Sequence, residues 1–270
     1  MKLITPWLFA AACVMTASAY RLSDPVSPVS TALGGCYAVC PGSPLSIHDA
    51  AAECRLTAKA DLLNLYGIPK LSQFHASLHY QTLPVTVGLT LRHFGLDGYG
   101  ESAAGLVVGR RFSPFWAMSL GADWIHVAWP DGAKPVNTGT LNLETRFFPS
   151  RKITIGISVF NLSFTKFRTD QGAVSLPVHF RIGMRYDFSD QLSGVAEVDK
   201  ELHSHLGVHA GCQYRIAGRV DLRLGLRVIQ NLSPTGGIGV RFKRMRCDLG
   251  FDYDWRLGLQ SSAGIQYTLP

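Results

Sequence analysis

The side chains with most chemical potential in this sequence are arginines and carboxylates set at every second position. Arg181 and Arg185, Glu197 and Asp199, Asp221, Arg223 and Arg227, and Asp248 and Asp252 fall at even spacings within their segments, with Arg215 and Arg241 in the same phase as the residues around them. In an extended chain an even spacing places these groups on one face. There they serve either as a ladder of ion pairs or as the lining of a polar conduit, and Arg223 and Arg227, lacking offsetting neighbours, would give that conduit an anion preference. His203-Ser204-His205, following Asp199 and Glu201, is the one metal-like cluster. Its two histidines fall short of the four ligands of a structural zinc site, so no metal is expected. No nucleophile can be placed beside a base, and Gly236-Gly237 does not precede a helix as a phosphate loop requires. The expectation is a non-enzyme without a cofactor and without a catalytic residue.

These charges must be carried by strands. Val178, Phe180, Ile182, Met184, Tyr186 and Phe188 alternate with His179, Arg181, Gly183, Arg185 and Asp187, and the same strict alternation runs through 206–216, 220–228 and 247–255. A period of two belongs to β-strands. Weaker signals of the same kind lie near 55–66, 71–80, 85–92, 102–111, 116–126, 138–148, 152–160, 192–200, 236–243 and 259–269, about fourteen strands in all. Every second connection is tight, around 81–84, 112–115, 149–151, 189–191, 217–219 and 243–246, whereas 93–101, 127–137, 161–177 and 229–235 read as longer loops. Short turns at one end and long loops at the other are the layout of an outer-membrane barrel, with the short turns in the periplasm.

Two independent features agree with that layout. Tyr80, Trp116, Phe147, Phe188, Tyr214, Phe242 and Tyr267, with Phe112, gather at the short-turn end as an interfacial girdle would, and Tyr66, Trp124, Trp129, Phe160 and Trp255 lie near the other. Turn lengths place Arg215 opposite Asp221, Arg181 opposite Asp199 and Arg241 opposite Asp248, so opposite charges meet on one face. A soluble β-sandwich would use the same alternation with the apolar face inward, but it predicts neither aromatics beside alternate turns nor the alternation of loop lengths. The expected fold is therefore all-β, a transmembrane antiparallel up-and-down barrel over 55–270.

Composition sets the surroundings. Charged residues make up 17% of the chain, below the roughly 25% of soluble domains. Lys2, the apolar stretch from Leu3 to Val14 and Ala17-Ser18-Ala19 predict a signal peptide over 1–19. A net charge of +7 would ordinarily suggest nucleic acid, but export and the alternating arginines argue against it. Cleavage after Ala19 leaves five cysteines, an odd number that excludes a complete disulfide framework; Cys36 and Cys40 are near enough to close a small loop. Residues 20–54 are not strand-like and precede the wall.

Thr31-Ala32-Leu33-Gly34-Gly35-Cys36-Tyr37-Ala38-Val39 resembles the "ALGGAYVA" opening of the PorV/PorQ and FadL-like superfamily of outer-membrane barrels. Arg181 to Asp190 followed by Val195 to Lys200, and Val208 to Arg215, are similar to that group's hairpin "RLGLAYxFSDK…AVEVEKD" and strand "xKAGLEYR". Residues 48–52, beginning His48-Asp49, stand where the group carries "NPAGLA", and the chain ends Thr268-Leu269-Pro270 without the usual terminal aromatic. The resemblance implies an N-terminal plug over 20–54, with Gly34, Gly35, Tyr37, His48 and Asp49 among its residues. It implies transport or secretion across the outer membrane of a Gram-negative cell, with lipid and lipopolysaccharide around the wall. A PorV-like role would be a secretion adaptor meeting a protein partner through extracellular loops, foremost 161–177. A FadL-like role would be uptake of a hydrophobic small molecule, against which the charged inward face weighs.

Overall fold

A computed structural model describes the chain apart from residues 1–20, 24–25, 41–54, 83, 97, 130–133, 170–171, 203 and 270. The signal-peptide expectation over 1–19 and the plug residues His48 and Asp49 lie outside the described residues.

Fourteen antiparallel strands close into a barrel. Its first half is β1 (Arg55–Asn64), β2 (Ser72–Thr82), β3 (Val85–Leu96), β4 (Tyr99–Ser113), β5 (Trp116–Ala128), β6 (Val136–Ser150) and β7 (Ile153–Phe160). A hairpin outside the wall follows, β8 (Lys166–Thr169) paired with β9 (Gly172–Ser175). The second half is β10 (His179–Asp187), β11 (Leu192–Glu201), β12 (Leu206–Ile216), β13 (Val220–Val228), β14 (Leu232–Phe242), β15 (Met245–Asp254) and β16 (Gly258–Leu269). β7 pairs directly with β10, and β1 with β16 from Leu56↔Leu269 to Asn64↔Ser261. Closure leaves no strand edge unpaired, which a wall in lipid requires.

The expected strands all form, with the apolar face outward. Phe180, Ile182, Met184, Leu222, Leu224 and Leu226 are exposed, while Arg181, Glu197, Asp221 and Arg223 are buried. A sandwich would do the opposite. Two of the expected long loops are absent: β3 and β4 run on to pair Leu96 with Tyr99, and β13 and β14 to pair Val228 with Leu232. Polar residues there are inner-face or rim positions of longer strands, so at the loop end 65–71, 129–135 and 161–178 are the substantial connections.

Arg215 faces Asp221 and Arg181 faces Asp199 as the turns predict. Arg241 does not face Asp248. Lys243, at φ 52°, and Arg244 make the turn, pairing Phe242 with Met245 and Arg241 with Arg246, while Asp248 meets Gly239. Both registers keep each side chain on its face, but only the observed one lets Met245 join Phe242 on the outer rim.

The described N-terminal residues lie inside the barrel. A 3-10 turn (Arg21–Ser23) touches β3 and β4, and a short helix α1 (Pro28–Ala32) packs against β13 to β16. Val29, Leu33, Cys36, Val39 and Cys40 form a small apolar core with Val195 of β11.

Candidate functional site

The luminal segment is held by wall residues near the middle of their strands. Glu197 Oε2 accepts the backbone N–H groups of Tyr37 at 2.8 Å and Ala38 at 2.7 Å. Thr235 Oγ1 accepts from Gly34 N at 2.9 Å and donates to Ala32 O at 3.1 Å. His209 Nδ1 lies 2.6 Å from Gly34 O while its Nε2 bonds Asp199, and Arg146 donates to Cys40 O at 3.2 Å. The Arg181 guanidinium sits over the Tyr37 ring at 5.4 Å. Gly34, Gly35 and Tyr37 thus all touch the wall or lie against it.

Glycines on the inner face make room for this. A Cβ on Gly225 would meet Gly34 N and lie 2.6 Å from Leu33 C, and one on Gly250 would meet Pro28 O. Gly34 itself has φ +78° with its missing Cβ aimed at Leu226 O, so both partners at this crossing exclude a side chain. The spacing rule read Gly225 and Gly250 as polar-face positions; glycine at the inward phase of several adjacent strands was the signal that another backbone lies against them.

The inward charges are paired more fully than the spacing suggests. Arg223 bridges Asp221 at 3.3 Å and Asp248 at 2.9 Å, and Arg227 reaches Asp252 at 2.7 Å, so neither is the unopposed cation expected of an anion-selective conduit. Asp221 also receives Arg215 and Arg241, each at 3.0 Å, and Arg246 at 3.5 Å. Arg185 pairs with Asp187 at 2.9 Å. Arg181, Asp199 and the rest of the set lie on the inner wall, where an unpaired charge would be costly.

The lumen holds a second, larger apolar region besides the core around Leu33. At the loop end Leu22, Leu65, Phe94, Ala103, Ile125, Val127, Phe160 and Leu176 form a buried cluster, with Tyr66, Tyr99 and Trp129 against it. Three of the five aromatics expected at the outer interface, Tyr66, Trp129 and Phe160, therefore turn inward, while Trp124 and Trp255 stay exposed. Asn161 holds the 161–178 connection over the cluster by accepting from Thr140 Oγ1 at 2.9 Å and donating to Leu176 O at 3.1 Å. Ile125 and Val127 share the phase of Asp123, which would have placed them inside.

The luminal segment separates two cavities. One of about 460 Å³ lies toward the loop end, between Ser30, Thr31 and Gly35 and the wall residues Leu63, Leu65, Tyr66, Arg227 and Asp252. Another of about 600 Å³ opens at the short-turn end, beside Arg185, Gln213 and Arg215. On the outside, Tyr80, Trp116, Phe147, Phe188, Tyr214, Phe242 and Tyr267 are all exposed near the short turns, with Trp116 stacked between Phe112 at 4.7 Å and Phe147 at 6.5 Å.

Cys36 and Cys40 are buried free thiols rather than a disulfide. Burial, reinforced by neighbouring Cys40 and Glu197, pushes the Cys36 thiol far up, and burial with Glu197 pushes Cys40 up to about 12. Cys212 and Cys247 are exposed on the outer face. Among the described residues no cluster of three or more His, Cys, Asp or Glu side chains is placed to hold a metal.

Among solved structures the chain superposes on the CymD monoaromatic hydrocarbon channel with a TM-score of 0.63 at 13% identity, covering 90% of this chain and 97% of that one. The fold is that of FadL-type barrels. The Ralstonia pickettii toluene transporter TbuX matches with a TM-score of 0.61 at 12% identity over 91% of this chain and 98% of its own. A Pseudomonas aeruginosa FadL homologue gives 0.59 at 11% identity over 90% and 97%. No protein-family model and no curated protein matches the sequence.

Proposed function

We propose that this chain is an outer-membrane uptake channel for a small hydrophobic molecule, with the N-terminal segment as its luminal plug. The observation that carries this reading is the apolar cluster of Phe94, Ile125, Val127, Phe160 and Leu176 inside the loop end of a barrel whose wall turns mostly polar and charged residues inward. A structural ladder has no use for buried aromatics there, whereas an apolar solute leaving the outside medium does. The cavity bordered by Leu63, Leu65 and Tyr66 continues inward from that cluster to the luminal segment. The likeness in fold to channels described as carrying monoaromatic hydrocarbons and toluene supports this reading over the secretion-adaptor alternative. The reading assigns the chain no catalytic role, and places its short turns in the periplasm.

The test is entry of a hydrophobic fluorophore, N-phenylnaphthylamine, into Gram-negative cells expressing the chain. Uptake faster than in vector controls is expected, falling back when Ile125→Asp or Phe160→Asp places a carboxylate in the apolar cluster. Uptake no faster than the control, with folded protein present in the outer membrane, overturns it.

A further inference from the structure

Two of the four arginines around Asp221 are only partly used. Arg215 donates through Nε alone and Arg241 through one terminal nitrogen, and the remaining edges of both guanidiniums have no partner among the described residues. Their side chains keep 30% and 35% of their exposure, whereas Arg223 keeps none. The charges do not balance: Arg215, Arg223, Arg241 and Arg246 share two carboxylates, Asp221 and Asp248. Other inner-face arginines have an acid of their own, as Arg227 has Asp252 and Arg146 has Glu144. The register sharpens the excess, because the turn at Lys243-Arg244 sets Arg241 opposite Arg246, where a purely structural ladder would set an acid.

Arg215 also lines the short-turn cavity of about 600 Å³, whose rim adds the cations Arg151, Lys152 and Arg185 against Asp187 and Asp190. We infer that an oxyanion, the phosphate or carboxylate group of a small molecule or lipid headgroup, binds at the edge of this vestibule, held by the free edge of Arg215, which lines it, and by that of Arg241, which joins Arg215 on Asp221. A guanidinium presents its N–H groups in a planar fork that matches two oxygens of such a group. Both arginines are anchored on the same carboxylate, one on Oδ1 and the other on Oδ2, so their free edges start from adjacent points and can converge on one ligand. A dianionic phosphate there neutralises the two surplus charges. The site lies on the short-turn side of the luminal segment, away from the apolar cluster, and stands whether or not a hydrophobic solute crosses the barrel.

Isothermal titration of the detergent-solubilised full chain with sodium phosphate at low ionic strength tests the site. Saturable binding is expected, weakened about tenfold or more in Arg241→Gln because one charge-assisted fork is lost. Asp221 keeps Arg215, Arg223 and Arg246 in that variant, so the barrel stays closed, which heat-modifiable migration on a gel verifies. Arg256→Gln, at the loop end, leaves binding unchanged. Competition by phosphatidylglycerol in mixed micelles assigns the oxyanion to a lipid headgroup, and failure to compete assigns it to a soluble ligand. No saturable binding, or equal affinity in the parent and Arg241→Gln, overturns the proposal.

Discussion

Glu197 Oε2 lies 2.8 Å from the backbone nitrogen of Tyr37 and also accepts the next amide, so one carboxylate oxygen of the wall fixes two successive residues of the luminal segment. Hydrogen bonds to a charged acceptor contribute about 1.5–3 kcal/mol each. Replacing Glu197 by Ala should therefore free residues 34–40 without opening the wall, whose ladder on β11 is made by backbone groups. Single-channel recordings in planar bilayers are expected to show larger and noisier conductance for Glu197→Ala than for the parent chain. Equal conductance would mean that the other contacts hold the segment by themselves.

The thiols report the same event chemically. The thiolate is the reactive form of cysteine, and a thiol raised above its ordinary value is less ionised at any pH below that value. With Cys40 at about 12 and Cys36 raised further by burial, neither should be alkylated by a water-soluble maleimide at pH 8 in the folded barrel, in a background where the other cysteines are serine. Reactivity should rise only as the pH approaches the unfolding range, and both sites should label at pH 8 in Glu197→Ala. Rapid labelling of the parent chain, followed by mass spectrometry, would contradict the buried placement.

Gly225 tests the crossing between segment and wall, because a methyl group there meets Gly34 N and Leu33 C. Gly225→Ala is expected to leave β13 paired and the barrel heat-modifiable while displacing α1, raising maleimide labelling of Cys36. If the segment stays shielded, the wall must yield instead, and the thermal midpoint would fall.

How far the sequence reaches is visible in these residues. The wall strands and their facing follow from a period of two, because each side chain must choose between lipid and lumen. Turn length is less constrained: shifting the turn at 243–244 by one position preserves every facing, so the Arg241–Arg246 pairing needed the structure. The apolar cluster was hidden by a different cause. Phe94, Ile125 and Val127 obey the alternation but break the rule that the inner face is polar, and a rule about composition cannot announce its own exception. Gly225 and Gly250 carried a signal, empty space on the inner face, whose occupant lay some two hundred residues away in the chain.

Arg223 carries no exposed surface and joins Asp221 to Asp248. Removing it leaves two buried carboxylates relying on the partly exposed Arg215, Arg241 and Arg246. Breaking a buried pair in this way typically costs about 3–5 kcal/mol. Arg223→Met, which nearly conserves volume, should lower the urea stability of the vesicle-reconstituted barrel by roughly that amount, whereas Arg185→Met, at a partly exposed pair near the mouth, should cost under about 1 kcal/mol. Equal losses would remove the distinction between the sealed and the open ends of the charge network.

Leu224 is the outward residue at the centre of β13 and is 67% exposed, between the inward Arg223 and Gly225. If this face meets hydrocarbon, Leu224→Arg puts a guanidinium at the depth where it is most expensive, about 2–4 kcal/mol for a barrel strand, while Val220→Arg at the strand end should cost about 0–1 kcal/mol. The gradient is specific to a bilayer, since water outside a soluble barrel would solvate both arginines equally. Folding titrations in lipid vesicles measure it directly, and the same two variants in detergent micelles, which lack a defined midplane, should show a shallower difference. Equal costs at positions 220 and 224 in vesicles would place the outer face outside the membrane.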